Sequence, residues 1–266
     1  MIPGFSFMDV YQILNSSQRQ RVSDGQIKSI LEGDTGKILV LLWSQLGDFD
    51  NLEYAWWLNR EAAKIKAQNI KVKAIGIGDR HSGVKFCEYT GFPSECLYVD
   101  PTAELHRQLN LYQGLTLKFP FFSTKYNALL NLMLMCAGIG SAGTLSEVLR
   151  GYTGDRTAPQ LISNDLVVED TPLPAIKGSM FKLAGGEDFQ RPFELATLRL
   201  RNMTEVLSNW NTYVPDAAYL TQRGGTFLFS ADGKLLYEHR DRNILGFAEN
   251  MSNPLSFLDL DKVLDY

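Results

Sequence analysis

Residues Gly36–Arg60, GKILVLLWSQLGDFDNLEYAWWLNR, pass from a continuous apolar run through a short polar elbow into a tryptophan-rich, helix-forming segment. The run Ile38–Trp43 has no polar interruption, the pattern of a strand covered on both faces. Such a strand needs packing partners above and below it, which points to a layered α/β architecture. Asp50 or Asn51 is expected to cap the helix that follows, so the elbow sits at a helix N-terminus. There the free N–H groups and the helix dipole favour negative charge and depress the pKa of a thiol. No cysteine stands there.

The segments that follow extend the layered pattern. Leu52–Gln68 is rich in Ala, Leu, Lys, Glu and Trp and predicts a helix, and Ile70–Ile77 alternates at strand spacing. Two parallel strands joined by that helix form a right-handed crossover. His81–Thr90 predicts a second helix stopped by Gly91-Phe92-Pro93, and Leu97–Val99 a further strand. Asp100 and Pro101 are expected as N-cap and first residue of a helix reaching Leu109. Upstream, Met8–Leu14 suggests a helical turn or two, and Val22–Leu31 a strand or hairpin around Asp24-Gly25. Near the other end, Arg223–Phe229 and Leu235–Tyr237 flank Ala231-Asp232-Gly233, a hairpin signal.

In order and spacing these segments resemble the peroxiredoxin-like branch of the alkyl hydroperoxide reductase and thiol-specific antioxidant (AhpC/TSA) family. The resemblance implies a thioredoxin-like fold, a peroxiredoxin-like sheet with flanking helices. It also implies an Arg-x-x-Gly-Cys-x-x-Cys elbow after the buried strand, where this chain reads Ser44-Gln45-Leu46-Gly47-Asp48-Phe49-Asp50-Asn51. Only Gly47 is kept. Asp48 and Asn51 stand at the two cysteine positions and Ser44 at the arginine. A carboxylate cannot reduce a peroxide as a thiolate does, and an amide cannot resolve a sulfenic acid. The family's thiolate-stabilising arginine lies before a late strand; Arg223 is near that place but offset, and is expected to pair with Asp48.

The resemblance covers 1–114 and 221–266 and is interrupted by 115–220, a mostly helical insertion. Asn127–Ala137 and Leu145–Arg150 predict helices, a Pro-, Asp- and Gly-rich stretch runs to Phe189, and Pro192 is expected to open a long amphipathic helix to about Trp210. This insertion is similar to that of family members from oxygenic phototrophs, plastid-targeted ones included. A protein partner is expected to engage it. The Lys118-Phe119-Pro120-Phe121-Phe122 segment and the apolar helix after it suggest peripheral membrane contact, but the apolar run is too short to span a bilayer.

Gly138-Ile139-Gly140-Ser141-Ala142-Gly143 fits the G-x-G-x-x-G of dinucleotide-binding turns, which require a buried strand before them. The preceding residues are helix formers without a β-branched side chain, so a helix–glycine–helix corner is expected and no cofactor. His81, His106 and His239 have no ligand spacing, so no metal site is indicated. Cys87 and Cys96 flank the Gly91-Phe92-Pro93 turn, where two buried thiols or a reversible disulfide are the alternatives, and Cys136 is expected in the core. An odd cysteine count of 3 with no framework spacing fits a reducing compartment, and the N-terminal residues lack signal-peptide features; a cytoplasmic location follows as the default. With 26 basic and 30 acidic residues interspersed and no basic block, nucleic acid is excluded as a partner. Two function classes remain: a non-catalytic binding or assembly protein, possible in a photosynthetic setting, or a thiol-dependent antioxidant oxidoreductase using Cys87 and Cys96.

Overall fold

The computed structural model describes residues 9–31, 33, 36–169 and 174–262. The chain begins with α1 (Val10–Ser16) and the hairpin β1 (Gln18–Arg21) and β2 (Ile27–Ser29), then enters β3 (Lys37–Gln45), α2 (Phe49–Arg60), α3 (Ala62–Ala67) and β4 (Ile70–Ile77). It continues with α4 (Arg80–Thr90), β5 (Leu97–Val99) and α5 (Glu104–Gln108). Within 115–220 come α6 (Thr124–Cys136), α7 (Thr144–Thr153), a small ribbon of β6 (Val167–Val168) and β7 (Ile176–Lys177), α8 (Lys182–Gly185), α9 (Glu194–Ser208) and α10 (Trp210–Tyr213). The hairpin β8 (Gly225–Phe229) and β9 (Leu235–Arg240) follows.

Seven strands form one sheet in the order β2-β1-β5-β4-β3-β8-β9. The three central strands β5, β4 and β3 are parallel, and antiparallel hairpins are added at both edges. Alternation along β3 assigns the two faces. Ile38, Val40 and Leu42 pack with α1 and α5, whereas Leu39, Leu41 and Trp43 pack with α2 and with residues of 115–220 such as Leu195, Val206 and Tyr213. The continuous apolar run is thus covered on both sides, as its composition requires.

Several boundaries differ from the sequence expectation for local reasons. The N-cap of α2 is Asp48 rather than Asp50 or Asn51: its extended backbone turns the carboxylate back to accept from the Asp50 N–H, so both later residues are already helical. The expected helix 52–68 is two helices, because Glu61 leaves helical geometry between α2 and α3. Asp100 is not the cap of α5 and Pro101 is not its first residue. The carboxylate of Asp100 reaches over a turn to the Leu105 N–H at 2.9 Å, and the helix starts at Glu104 after a left-handed Ala103. Pro192 likewise precedes α9 without opening it, and that helix ends at Ser208 before the separate turn α10.

The 115–220 segment leaves and re-enters the sheet at adjacent points, where the Arg223 N–H donates to Tyr112 O at 2.8 Å. Buried charges fasten it to the core. Arg199 on α9 pairs with Glu53 of α2 at 2.7 Å and with Glu147 of α7 at 2.5 Å, and Arg150 holds the same Glu147 at 2.6 Å. Arg191 and Glu194, both fully buried, pair at 2.5 Å, and Glu194 also accepts from the Ile162 N–H. Arg199→Lys keeps the charge but loses the fork that spans two carboxylates. It is expected to lower unfolding stability by about 1–2 kcal/mol, read as a shift of the urea midpoint at constant slope.

Candidate functional site

The elbow lies at the C-terminal end of β3, where ligands commonly bind in sheets with parallel strands. Most of its polar groups satisfy one another, although Gln45 Oε1 is buried without a hydrogen-bond partner. The Ser44 hydroxyl lies 3.0 Å from Asp48 Oδ2 and 3.3 Å from Asn51 Oδ1, and Asn51 Nδ2 donates to Gln45 O at 2.7 Å. Asp48 receives Arg223 Nη2 at 2.6 Å, with Asp50 Oδ2 3.7 Å from Nη1. Both oxygens of Asp50 accept from the Leu245 N–H at 2.9 Å. Arg223 also donates to Leu220 O and Thr221 O, so the guanidinium is enclosed by acceptors. Ser44, Asp48, Asn51 and Arg223 are therefore brought into one cluster, with Asp50 as a member.

Charge in this cluster is unbalanced. Asp48, Asp50 and Asp241 share the guanidinium of Arg223, and His239 Nε2 lies 3.6 Å from Asp241 Oδ1. Burial, reinforced by the Asp48 charge, raises the Asp50 carboxyl well above the ordinary value. Burial also pushes Asp241 up to about 7, against the opposing pull of Arg223, and its Oδ1 has no hydrogen-bond partner. Burial would lower the Arg223 pKa, but Asp48 and Asp50 outweigh it and raise it. The guanidinium is thus a fixed positive charge, and burial favours the protonated form of Asp50 and Asp241 beside it.

The elbow is roofed by 115–220. At Gly47 a Cβ would lie 2.8 Å from Tyr213 Cβ, so the close approach of α10 leaves space for glycine alone. A cavity of about 60 Å³, large enough to admit water, remains between the elbow and this roof. Gln45, Asp48, Phe49, Leu132, Cys136 and Trp210 are among its lining residues. Cys136 was expected in the core and is instead exposed at the end of α6, facing the elbow. Its sulfur is partly desolvated where it lines the elbow cavity, and this, then the Asp48 charge, raises its pKa. The sequence offered no signal for this thiol: it is 88 residues from Asp48 and only the fold of α6 brings the two together.

Cys87 and Cys96 are half-buried thiols beside the Phe92 turn, away from the elbow, and are not disulfide-bonded. Burial, with Glu95 next, pushes Cys87 up to about 12. The Gly138–Gly143 motif joins α6 to α7 with no strand before it. Thr144 Oγ1 donates to Ile244 O and the Ile244 N–H donates to Ser141 Oγ, so the corner is tied to the elbow's far wall. Among the described residues no cluster of His, Cys, Asp and Glu is placed to hold a metal, and no helix is long and apolar enough to cross a membrane. His106 is fully buried with Nε2 3.0 Å from Trp43 O, and burial lowers it to about 4.

No curated protein and no solved structure matches the chain significantly. A family model described as AhpC/TSA antioxidant enzyme matches residues 57–243, beginning after the elbow and running through all of 115–220. The match takes in well over half of the chain, and the sheet with helices on both faces agrees with it. The chain belongs to the AhpC/TSA antioxidant enzyme family and has its thioredoxin-like fold.

Proposed function

We propose that this protein is a non-catalytic member of the family, in which the elbow has become a structural ion-pair cluster and the 115–220 segment binds a protein partner. The observation that carries the reading is Arg223 engaged by Asp48 at 2.6 Å at the helix N-terminus where the resemblance expects a thiolate. A carboxylate keeps the charge complementarity of such a site and loses its nucleophile. Asn51 at the second expected cysteine donates to Gln45 O and accepts from the Ser44 hydroxyl, bonds that fasten the turn. Cys87, pushed up to about 12, is almost wholly unionised at neutral pH and is a poor relocated nucleophile.

The binding half of the proposal draws on α7, whose amphipathic faces are reversed. Leu145, Leu149 and Tyr152 form an exposed stripe at i, i+4 and i+7, while Thr144, Glu147 and Gly151 are buried. Phe193, also more than half exposed, packs edge-on against Tyr152. A stripe of this kind, with aromatic anchors, has the composition of a protein interface core. The resemblance of the insertion to those of phototroph relatives adds a photosynthetic setting to this reading, and a cytoplasmic location is part of the same proposal.

A second reading, a thiol-dependent oxidoreductase, is favoured by one placement: Cys136 beside the elbow cavity. Peroxide consumption with a dithiol reductant separates the two. The wild type is expected to show no turnover above the reductant blank. Turnover abolished by Cys136→Ser, Cys87→Ser or Cys96→Ser would overturn the non-catalytic reading and identify the nucleophile. For the binding half, a cross-linked partner held by wild type is expected to be lost in Leu149→Asp; equal capture by both would remove α7 as the interface.

A further inference from the structure

We infer that the Phe121 tip and the outer face of α6 form a docking surface for an anionic lipid membrane. The inference is independent of whether the elbow is reactive. Phe121 is fully exposed and is held at φ 73, and Phe122 beside it is more than half exposed. On α6 the side chains of Tyr126 and Met133, two turns apart on one face, are each about two-thirds exposed. The opposite face buries Asn131 and Met135.

This exposure belongs to a fastened loop. Asn131 accepts from the Leu117 N–H at 3.2 Å and donates to Leu117 O at 2.9 Å. Asn127 accepts from the Phe119 N–H at 2.8 Å and donates to Phe122 O at 3.1 Å. Two side-chain amides on α6 thus staple the incoming chain and hold the Phe121 and Phe122 rings outward. A preorganised apolar tip binds without the ordering cost of a flexible one.

Charge selects the occupant. From Leu115 to Ser146 the chain carries Lys118 and Lys125 and no Asp or Glu, although the whole protein is at −4. Both lysines are exposed and lie on either side of the Phe121-Phe122 pair. Lysine is depleted at protein–protein interfaces. At a membrane the same arrangement is favourable: the aromatic rings enter the acyl boundary while the ammonium groups stay at the level of anionic headgroups.

The test is co-flotation of the full chain with vesicles of phosphatidylcholine containing phosphatidylserine, against vesicles of phosphatidylcholine alone. Flotation is expected only with the anionic vesicles, and is expected to weaken in high salt. Phe121→Asn, chosen because asparagine accepts a left-handed backbone, combined with Phe122→Ser is expected to lower the vesicle partition by at least about tenfold. Lys118→Glu with Lys125→Glu is expected to lower it by about tenfold or more. Tyr126→Ser, on the helix itself, provides an independent variant if the loop changes perturb folding. Failure of wild type to float, or flotation unchanged by these substitutions, would overturn the inference. So would a wild-type dimer in sedimentation that Phe121→Asn converts to monomer, since the occupant would then be a second copy.

Discussion

Replacing Arg223 by alanine is expected to lower unfolding stability by about 3–5 kcal/mol, because it strands charge in a buried site. The guanidinium is almost fully enclosed and is the cation facing Asp48, Asp50 and Asp241. With the cation gone, carboxylates that it partly neutralised must bind protons or destabilise the fold. In an Asp48→Asn background the cost of Arg223→Ala is expected to fall by about 1–3 kcal/mol, the coupling typical of directly paired groups. Some cost remains in either background, since Leu220 O and Thr221 O lose their donor. Urea denaturation of the four proteins in the cycle measures this. Additive single effects would mean that Asp48 and Arg223 are neighbours without energetic coupling.

Asp241→Asn is expected to make the protein more stable than wild type above neutral pH, on the order of 2–4 kcal/mol at about pH 8. The sign follows from the raised pKa. Asp241 has an ordinary value of 3.8 unfolded and about 7 in the fold, so the native state binds the extra proton between those values. Its favourable contribution is complete below 3.8 and is lost as pH rises through about 7. Asparagine mimics the protonated form and does not ionise, so the variant's advantage should shrink toward zero near pH 4. His106 acts in the opposite direction. Held neutral by burial, it contributes stability that is lost as pH falls from 6.5 through about 4. Because His106 is common to both proteins and remote from the substitution, the difference between their pH–stability curves reports Asp241 together with the groups that face it, Arg223, Asp48 and His239. A difference independent of pH would show that Asp241 stays ionised throughout.

The central layering was legible because its signals are local. Ile38–Trp43 could be covered only on both faces, and Ile70–Ile77, Leu97–Val99 and the Asp232-Gly233 hairpin carry strand or turn chemistry within a few residues. Boundaries were less legible where one side chain could cap several positions. Asp48, Asp50 and Asn51 are all capable caps, and the turn of the chain at Gly47, under Tyr213, makes Asp48 the one used. Asp100 misled for a similar reason: its carboxylate does serve an N-terminal N–H of α5, but across a turn that holds a left-handed Ala103.

The sequence by itself determined the α/β sheet, the absence of a thiol from the elbow and the helix–glycine–helix corner at Gly138–Gly143, since each depends on residue type and near spacing. Tertiary structure decided what faces the elbow. Arg223, Asp241 and Cys136 converge on Asp48 from distant parts of the chain, and their charge states depend on a burial that no local pattern encodes. It also decided that α7 turns its charged side inward, because Arg199 and Arg150 there offer Glu147 partners that solvent would otherwise supply. Periodicity shows that a helix has two faces; only the packing of its neighbours decides which one is left to water.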